Sequence, residues 1–362
     1  MKVAIMGAGL SGLSCAITLE KNGIKPTIFE KRRVVGDRFI NAEIFMSILT
    51  RPVVDEISYL SEEHDINLHP LSNIKELQII SEKEKATIEG HIGFTSLRGR
   101  DVDSLENQLA RQVKSKIIFN SKYTYEHLLQ EFTHVIVATG DAAYTSKIQL
   151  FSNDLTVTLK GATVEGNFDQ YGVKAWLNHH FAPKGYGYFI PLSDKEAQIV
   201  IGFPDYEENK KLDEEMLWDR FYNQACKDLN QNLRITDQFQ VTRYQIGTCQ
   251  TPRIGNTFFV GNCFGSIMPF LGFGQFSAML TGIYAAHDLC GFGKYEDLTS
   301  NLKESYRNSL SLRHGIENLS NSQLDLMVKS LDGKIGKRLF NSKYDFLSLA
   351  GYLLRPLTKN KE

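Results

Sequence analysis

Apolar and polar positions along this chain follow two periods. Val3 to Met6 form a short uninterrupted apolar run, as in a strand buried on both faces, and 10–19 then repeat apolar residues at helical spacing through Leu10, Leu13 and Ile17, with Ala16 beside that stripe. A second short strand, Pro26-Thr27-Ile28-Phe29, follows. Further along, 133–141 read as a buried strand ending in Ala138-Thr139-Gly140-Asp141, and 257–260 as another that ends in Gly261-Asn262. Between them the rhythm changes to alternating strands over 155–164, Tyr186–Pro191 and 197–203, with Ser193-Asp194-Lys195-Glu196 as a polar turn. Helical spacing is expected over 105–113, over 212–229, from Gln275 onward and through the tail 296–362.

The first strand and helix are joined by Gly7-Ala8-Gly9-Leu10-Ser11-Gly12, and the second strand ends at Glu30. Strand, G-x-G-x-x-G, helix, strand and acid together make the βαβ unit that binds a dinucleotide. Gly7 allows the tight turn, Gly9 lets a pyrophosphate approach the backbone, and Gly12 lets helix and strand pack closely. The pyrophosphate then rests on free N–H groups at the positive end of the helix dipole. Glu30 accepts from the ribose hydroxyls and repels a 2′-phosphate, which selects FAD or NAD.

Composition narrows the class of protein. Of 362 residues, 42% are hydrophobic and 23% charged, the balance of a globular chain. Forty-one Lys+Arg against 42 Asp+Glu leave a net charge of −1, too little for the basic field that nucleic-acid binding needs, so no nucleic-acid partner is expected. The most apolar stretch, 258–289, is broken by Asn262, Gln275, His287 and Asp288 and does not read as a membrane span. The N-terminal run meets glycines where a signal core would continue, which predicts a cytoplasmic protein. Five cysteines without a C-x-x-C signal neither a disulfide framework nor zinc. His179-His180 would face opposite ways on a strand, and no metal site is expected.

Four segments carry a family resemblance. Glu30 and Lys31 open an E-K-x-x-x-x-G-x-R run that closes at Arg38, Ala138-Thr139-Gly140-Asp141 matches a second motif, Gly261-Asn262 a third, and Met268-Pro269-Phe270-Leu271-Gly272-Phe273-Gly274-Gln275 a fourth. In this order and spacing the chain resembles the FAD-dependent flavoproteins of the glutathione reductase and p-hydroxybenzoate hydroxylase group. The resemblance implies an α/β fold in which a Rossmann-like FAD-binding domain of the hydroxylase-like subgroup, 1–145 and 243–295, carries an inserted antiparallel β-sheet substrate domain, 146–242. A helical tail, 296–362, follows. It also implies FAD-binding roles for Gly7, Ala8, Gly9, Leu10, Ser11, Gly12, Glu30, Lys31, Arg38, Arg100, Ala138, Thr139, Gly140, Gly261, Asn262, Gly272, Phe273, Gly274 and Gln275. An exposed charged loop at a helix start is the alternative for Arg100. Where the family has Asp, this chain has Asn262, whose amide still bonds ribityl hydroxyls, while the N–H groups of Gly274 and Gln275 face the pyrimidine edge of the flavin.

Pro183-Lys184-Gly185-Tyr186-Gly187-Tyr188-Phe189-Ile190-Pro191 is similar to the P-x-G-Y-x-W-x-F-P segment of geranylgeranyl reductases, with Tyr188 in place of Trp. That similarity implies a hydrophobic small-molecule substrate, an isoprenoid or its like, held near Tyr186, Tyr188 and Phe189 and reduced at a carbon–carbon double bond. Packing of a sheet core is the competing account of these aromatics. With a single nucleotide fingerprint, electrons must come from an external donor, NAD(P)H or a redox protein. A flavin-dependent aromatic monooxygenase and a flavin-binding protein without turnover are the alternatives. No residue is assigned to catalysis. In the tail, Lys334, Lys337 and Arg338 beside Ile335, Leu339, Phe340 and Leu353 allow either packing on the body or peripheral membrane contact.

Overall fold

The computed structural model describes residues 1–140 and 142–358, so Asp141 and the last four residues of the tail lie outside the described residues. Along the chain run β1 (Val3–Met6), β2 (Thr27–Phe29), β3 (Asn41–Met46), β4 (Ser72–Ile80), β5 (Lys85–Arg98), β6 (Ile117–Ile118) and β7 (His134–Val137). They are followed by β8 (Phe151–Glu165), β9 (Gly172–Trp176), β10 (Tyr186–Pro191), β11 (Glu196–Pro204), β12 (Arg234–Cys249), β13 (Arg253–Ile254) and β14 (Thr257–Phe259).

One sheet has the order β13-β14-β7-β1-β2-β6. Its strands are parallel except for the β13–β14 pair. Helices cover it, so Val3, Ala4, Ile5, Val135, Ile136 and Val137 are all buried, which explains their uninterrupted apolar runs. The helix Leu10–Lys21 crosses the helix Gln275–Leu289 so closely that a Cβ on Gly282 would lie 2.0 Å from the Ser11 carbonyl oxygen.

The second sheet has the order β12-β8-β11-β10-β9-β4-β5-β3. It is wider than the expected insertion over 146–242, because β3, β4 and β5, from a stretch placed with the nucleotide-binding part, pair into it. The link is the parallel pairing of β4 with β9, Glu76 opposite Gly172. The helix Glu214–Leu229 covers one face through Leu217, Trp218, Phe221 and Ala225. Asp213 caps its start by accepting from the N–H groups of Glu215 and Met216. The helix expected over 105–113 ends at Ala110 and starts on the Ser104 cap. His179 and His180 occupy a turn, not a strand; His179 Nε2 lies 2.8 Å from the Leu319 carbonyl oxygen and His180 Nε2 3.4 Å from Glu82.

Candidate flavin site

The carboxyl ends of β1, β7 and β14 lie side by side and bring three of the sequence motifs to one edge. The chain leaves β1 toward β2 on one side while β7 flanks β1 on the other, a topological switch point where open α/β sheets bind ligands. Gly7 has φ +119°, and a Cβ there would meet the Ala138 carbonyl oxygen at 2.3 Å; one on Gly12 would meet that of Gly7 at 2.1 Å. Gly9 differs from both. It begins the helix Leu10–Lys21 without a side-chain cap, and a Cβ there would have no atom within 4 Å. The space over this helix end is open and faced by N–H groups, as a pyrophosphate requires.

Glu30 is held toward that space by two backbone donors, the Ala8 N–H to Oε2 at 2.8 Å and the Arg32 N–H to Oε1 at 2.9 Å. A carboxylate accepts about four hydrogen bonds, so capacity for ribose hydroxyls remains. Lys31 is exposed. Thr139 Oγ1 and Cys263 Sγ lie 3.2 Å apart, and a Cβ on Gly261 would meet Ser11 Oγ at 2.6 Å, which joins the second and third motifs to the first.

Asn262 donates its amide hydrogens to the Tyr244 hydroxyl and, at 3.4 Å, to the Gly140 carbonyl. Its carbonyl oxygen is then what it offers to a ligand hydroxyl. Tyr244, on β12, has no counterpart among the sequence motifs. Burial pushes its hydroxyl up to about 12, against the pull of Arg38 and Arg98. Around it lies a group of partly buried charges, with Glu106 the most enclosed. Arg98 Nε reaches Glu106 at 2.8 Å and Nη1 reaches Glu43 at 3.2 Å, while Arg38 lies 3.9 Å from Glu43. Burial opposes the charge on both Arg98 and Glu106, but their mutual attraction prevails: the guanidinium is raised and the carboxyl held below its usual range. Arg38 is lowered by burial and by Arg98, and its Nε is buried without a partner among the described residues.

These features fit FAD: an open helix end, an oriented carboxylate, an amide side chain at the end of β14, and an orphaned guanidinium N–H. Arg100, by contrast, is not part of this enclosed group. Its side chain is 58% exposed and pairs with Asp237 of β12 at 2.9 Å, while the neighbouring Arg98 takes the buried position.

The turn 268–274 closes through the Phe273 carbonyl, which accepts from the Met268 N–H at 2.8 Å, and Gly272 takes φ +77° within it. Tyr186 donates its hydroxyl to the Leu271 carbonyl oxygen, and Gln275 Nε2 donates to the Ile44 carbonyl, so the turn and the following helix are tied to both β10 and β3. Tyr188 packs with Phe273, Ile44, Met46 and Ile190 in an apolar cluster, its ring 5.9 Å from that of Tyr186. Burial raises both phenols, which stay protonated. Phe189 is not with them. It points through the opposite face into the core that includes Leu217, Trp218 and Phe221 of the helix Glu214–Leu229, its ring beside that of Phe168, so packing rather than substrate contact accounts for it.

Comparison with known proteins adds the family context. Residues 5–44 match the family of NAD(P)-binding Rossmann-like domains. A geranylgeranyl bacteriochlorophyll reductase-like protein from Thermoplasma acidophilum superimposes with a TM-score of 0.71 at 18% identity, over 100% of this chain and 96% of that one. The fold is that of the flavin-dependent reductases and monooxygenases. The flavin-dependent brominase Bmp2 follows with a TM-score of 0.67 at 13% identity, over 99% of each chain. A flavoprotein/dehydrogenase from Cytophaga hutchinsonii gives 0.65 at 14%, over 100% of each. No curated protein sequence matches the chain. Among the described residues no cluster of His, Cys, Asp and Glu is arranged to hold a metal.

Proposed function

We propose that this chain is an FAD-dependent oxidoreductase that reduces a carbon–carbon double bond in a hydrophobic substrate such as an isoprenoid. The observation that carries the substrate class is the apolar cluster of Ile44, Met46, Tyr188, Ile190 and Phe273, built directly against the turn that opens the helix Gln275–Leu289. Bound FAD would supply hydride transfer, its electrons coming from NAD(P)H or a redox protein. The protein's part is to bind and orient. Gly9 and the N–H groups after it take the pyrophosphate, Glu30 the ribose, Asn262 the ribityl chain, and the N-terminus of the helix Gln275–Leu289 the pyrimidine edge. Burial keeps the Tyr188 hydroxyl protonated, so the apolar cluster carries no charge from it. The likeness to the brominase supports a second reading, in which the same site activates oxygen for oxygenation or halogenation.

Both readings are separable in one experiment. Protein loaded with FAD is reduced, mixed anaerobically with a polyisoprenoid lipid extract, and the lipids are weighed by mass spectrometry. A gain of two hydrogens per double bond is the expected result. Products that gain oxygen or halogen, and only in air, would establish the second reading, and failure to take up FAD would overturn both.

A further inference from the structure

The two last helices, Lys334–Phe340 and Phe346–Thr358, have an inner and an outer side of different character. On the inner side, Leu339, Phe340 and Leu347 join the apolar cluster that holds Tyr188 and Phe273, and the Phe340 carbonyl accepts from Arg51 Nη2 at 3.0 Å. The longer helix is fastened to the helix Ser300–Ile316: a Cβ on Gly351 would lie 2.5 Å from the Asn308 carbonyl oxygen, Asn308 Nδ2 donates to Ser348 Oγ at 2.7 Å, and Arg355 pairs with Glu304 at 2.7 Å. The outer side is apolar as well. Tyr344 is 77% exposed, Leu349 55%, Tyr352 59% and Leu353 64%, and Phe346 and Ile335 also face solvent. Positions 346, 349, 352 and 353 share one helical face, so this is a continuous stripe and not scattered residues.

The charge around the stripe is mainly positive. Lys334, Lys337, Arg338 and Lys343 are all exposed, and Asp345 is the one acid between 333 and 355, in a chain whose net charge is −1. Exposed apolar side chains bordered by cations match the boundary of a bilayer that contains anionic lipids, where the apolar groups enter the acyl edge and the cations meet headgroup phosphates. A second copy of the chain fits less well, because a two-fold contact through this face would bring the same four cations together. Among the described residues no helix is long and apolar enough to cross a membrane, so the contact is with the surface.

We infer that the outer face of the helices Lys334–Phe340 and Phe346–Thr358 docks on an anionic phospholipid surface. This deepens the proposed function, and its use for substrate delivery rests on that reading, since the inner side of the same helices packs in the cluster assigned to the substrate. Docking itself does not depend on turnover.

The test is co-sedimentation of the full chain with vesicles of phosphatidylcholine, with and without about one-third phosphatidylglycerol. We expect about tenfold stronger partitioning onto the anionic vesicles, weakened by high salt. The variants Leu349→Glu/Leu353→Glu and Lys334→Glu/Lys337→Glu/Arg338→Glu should each lose about tenfold or more. All changed side chains are exposed, and thermal melts together with FAD titration of the same variants show whether fold and cofactor site persist. Wild-type protein that stays in the supernatant, or variants that sediment like it, overturns the inference. So does a wild-type dimer that Leu349→Glu/Leu353→Glu converts to monomer, which would assign the face to a second copy. Loss of FAD uptake by the wild type would count against the proposed function alone.

Discussion

Gly9 and Gly12 stand three positions apart in one motif and are required for different physical reasons. A Cβ on Gly12 collides with the Gly7 carbonyl oxygen at 2.1 Å, so Gly12 serves the fold. A Cβ on Gly9 meets no protein atom, so what it leaves room for is a ligand. Gly12→Ala should therefore lower the stability of the apo protein by about 1–3 kcal/mol, the usual cost of overpacking. Gly9→Ala should leave that stability within about 0.5 kcal/mol, as at an unconstrained position, while FAD binding falls sharply. Urea unfolding and FAD titration of the two variants check this, and equal losses of stability would remove the distinction. Glu30 and Asn262 show the same division of labour within a single side chain. Part of the bonding capacity of each is spent on Ala8 and Arg32, or on Tyr244 and Gly140, and that fixes the direction of the remainder.

At the scale of elements, Arg98 joins three. It ends β5, bonds Glu43 of β3, and reaches Glu106 in the first turn of the helix Leu105–Ala110, with its side chain only 15% exposed. Removing one partner of a buried ion pair leaves an uncompensated charge, a loss of about 3–5 kcal/mol. Arg98→Met should cost that much, read as a lowered denaturant midpoint at unchanged slope. Arg100→Met, which breaks an exposed pair with Asp237, should cost about 0–1 kcal/mol. If the two variants were equally stable, the buried cluster would not hold these elements together. The sequence motif Leu97-Arg98-Gly99-Arg100 presents both arginines, and nothing in their spacing tells them apart. Burial does, because β5 runs into the interior as far as Arg98.

On the scale of the whole molecule, the helices Leu10–Lys21, Glu56–His64 and Gln275–Leu289 meet at a pair of histidines whose rings are 5.8 Å apart. Burial pushes His64 down to about 4 from its ordinary 6.5, with His287 and Lys21 adding to the effect, and its Nε2 is buried without a partner among the described residues. His287 is lowered too, by burial. The unfolded chain takes up these protons first, so stability present in full above about pH 6.5 is lost as the pH falls toward 4. His64→Leu should flatten the fall of melting temperature across that window relative to wild type. Parallel profiles for the two proteins would mean that the histidine does not govern the acid response. Farther off, residues distant in sequence tie the second sheet to the turn and helix that follow β14, Gln275 with Ile44 and Tyr186 with Leu271, and Gln198 of β11, whose Oε1 accepts from the Ala42 N–H of β3 at 2.6 Å, joins two strands of that sheet which are not neighbours in it.

What the sequence determined by itself is the local part of this picture. The strand, glycine turn, helix and acid between Val3 and Glu30 are legible because each depends on neighbours within one turn or one strand, and the alternation in β10 places Tyr186 and Tyr188 on one face. The same period of two puts Phe189 on the other face, as the structure has it. Only the tertiary structure decided that β3, β4 and β5 join the second sheet, since the pairing of Glu76 with Gly172 spans nearly a hundred residues and leaves no mark in either segment. It alone brought Tyr244 to Asn262 and chose Arg98 over Arg100 for the interior. Those choices depend on which side chains lose their water, and that is set by whatever distant strand or helix comes to lie over them.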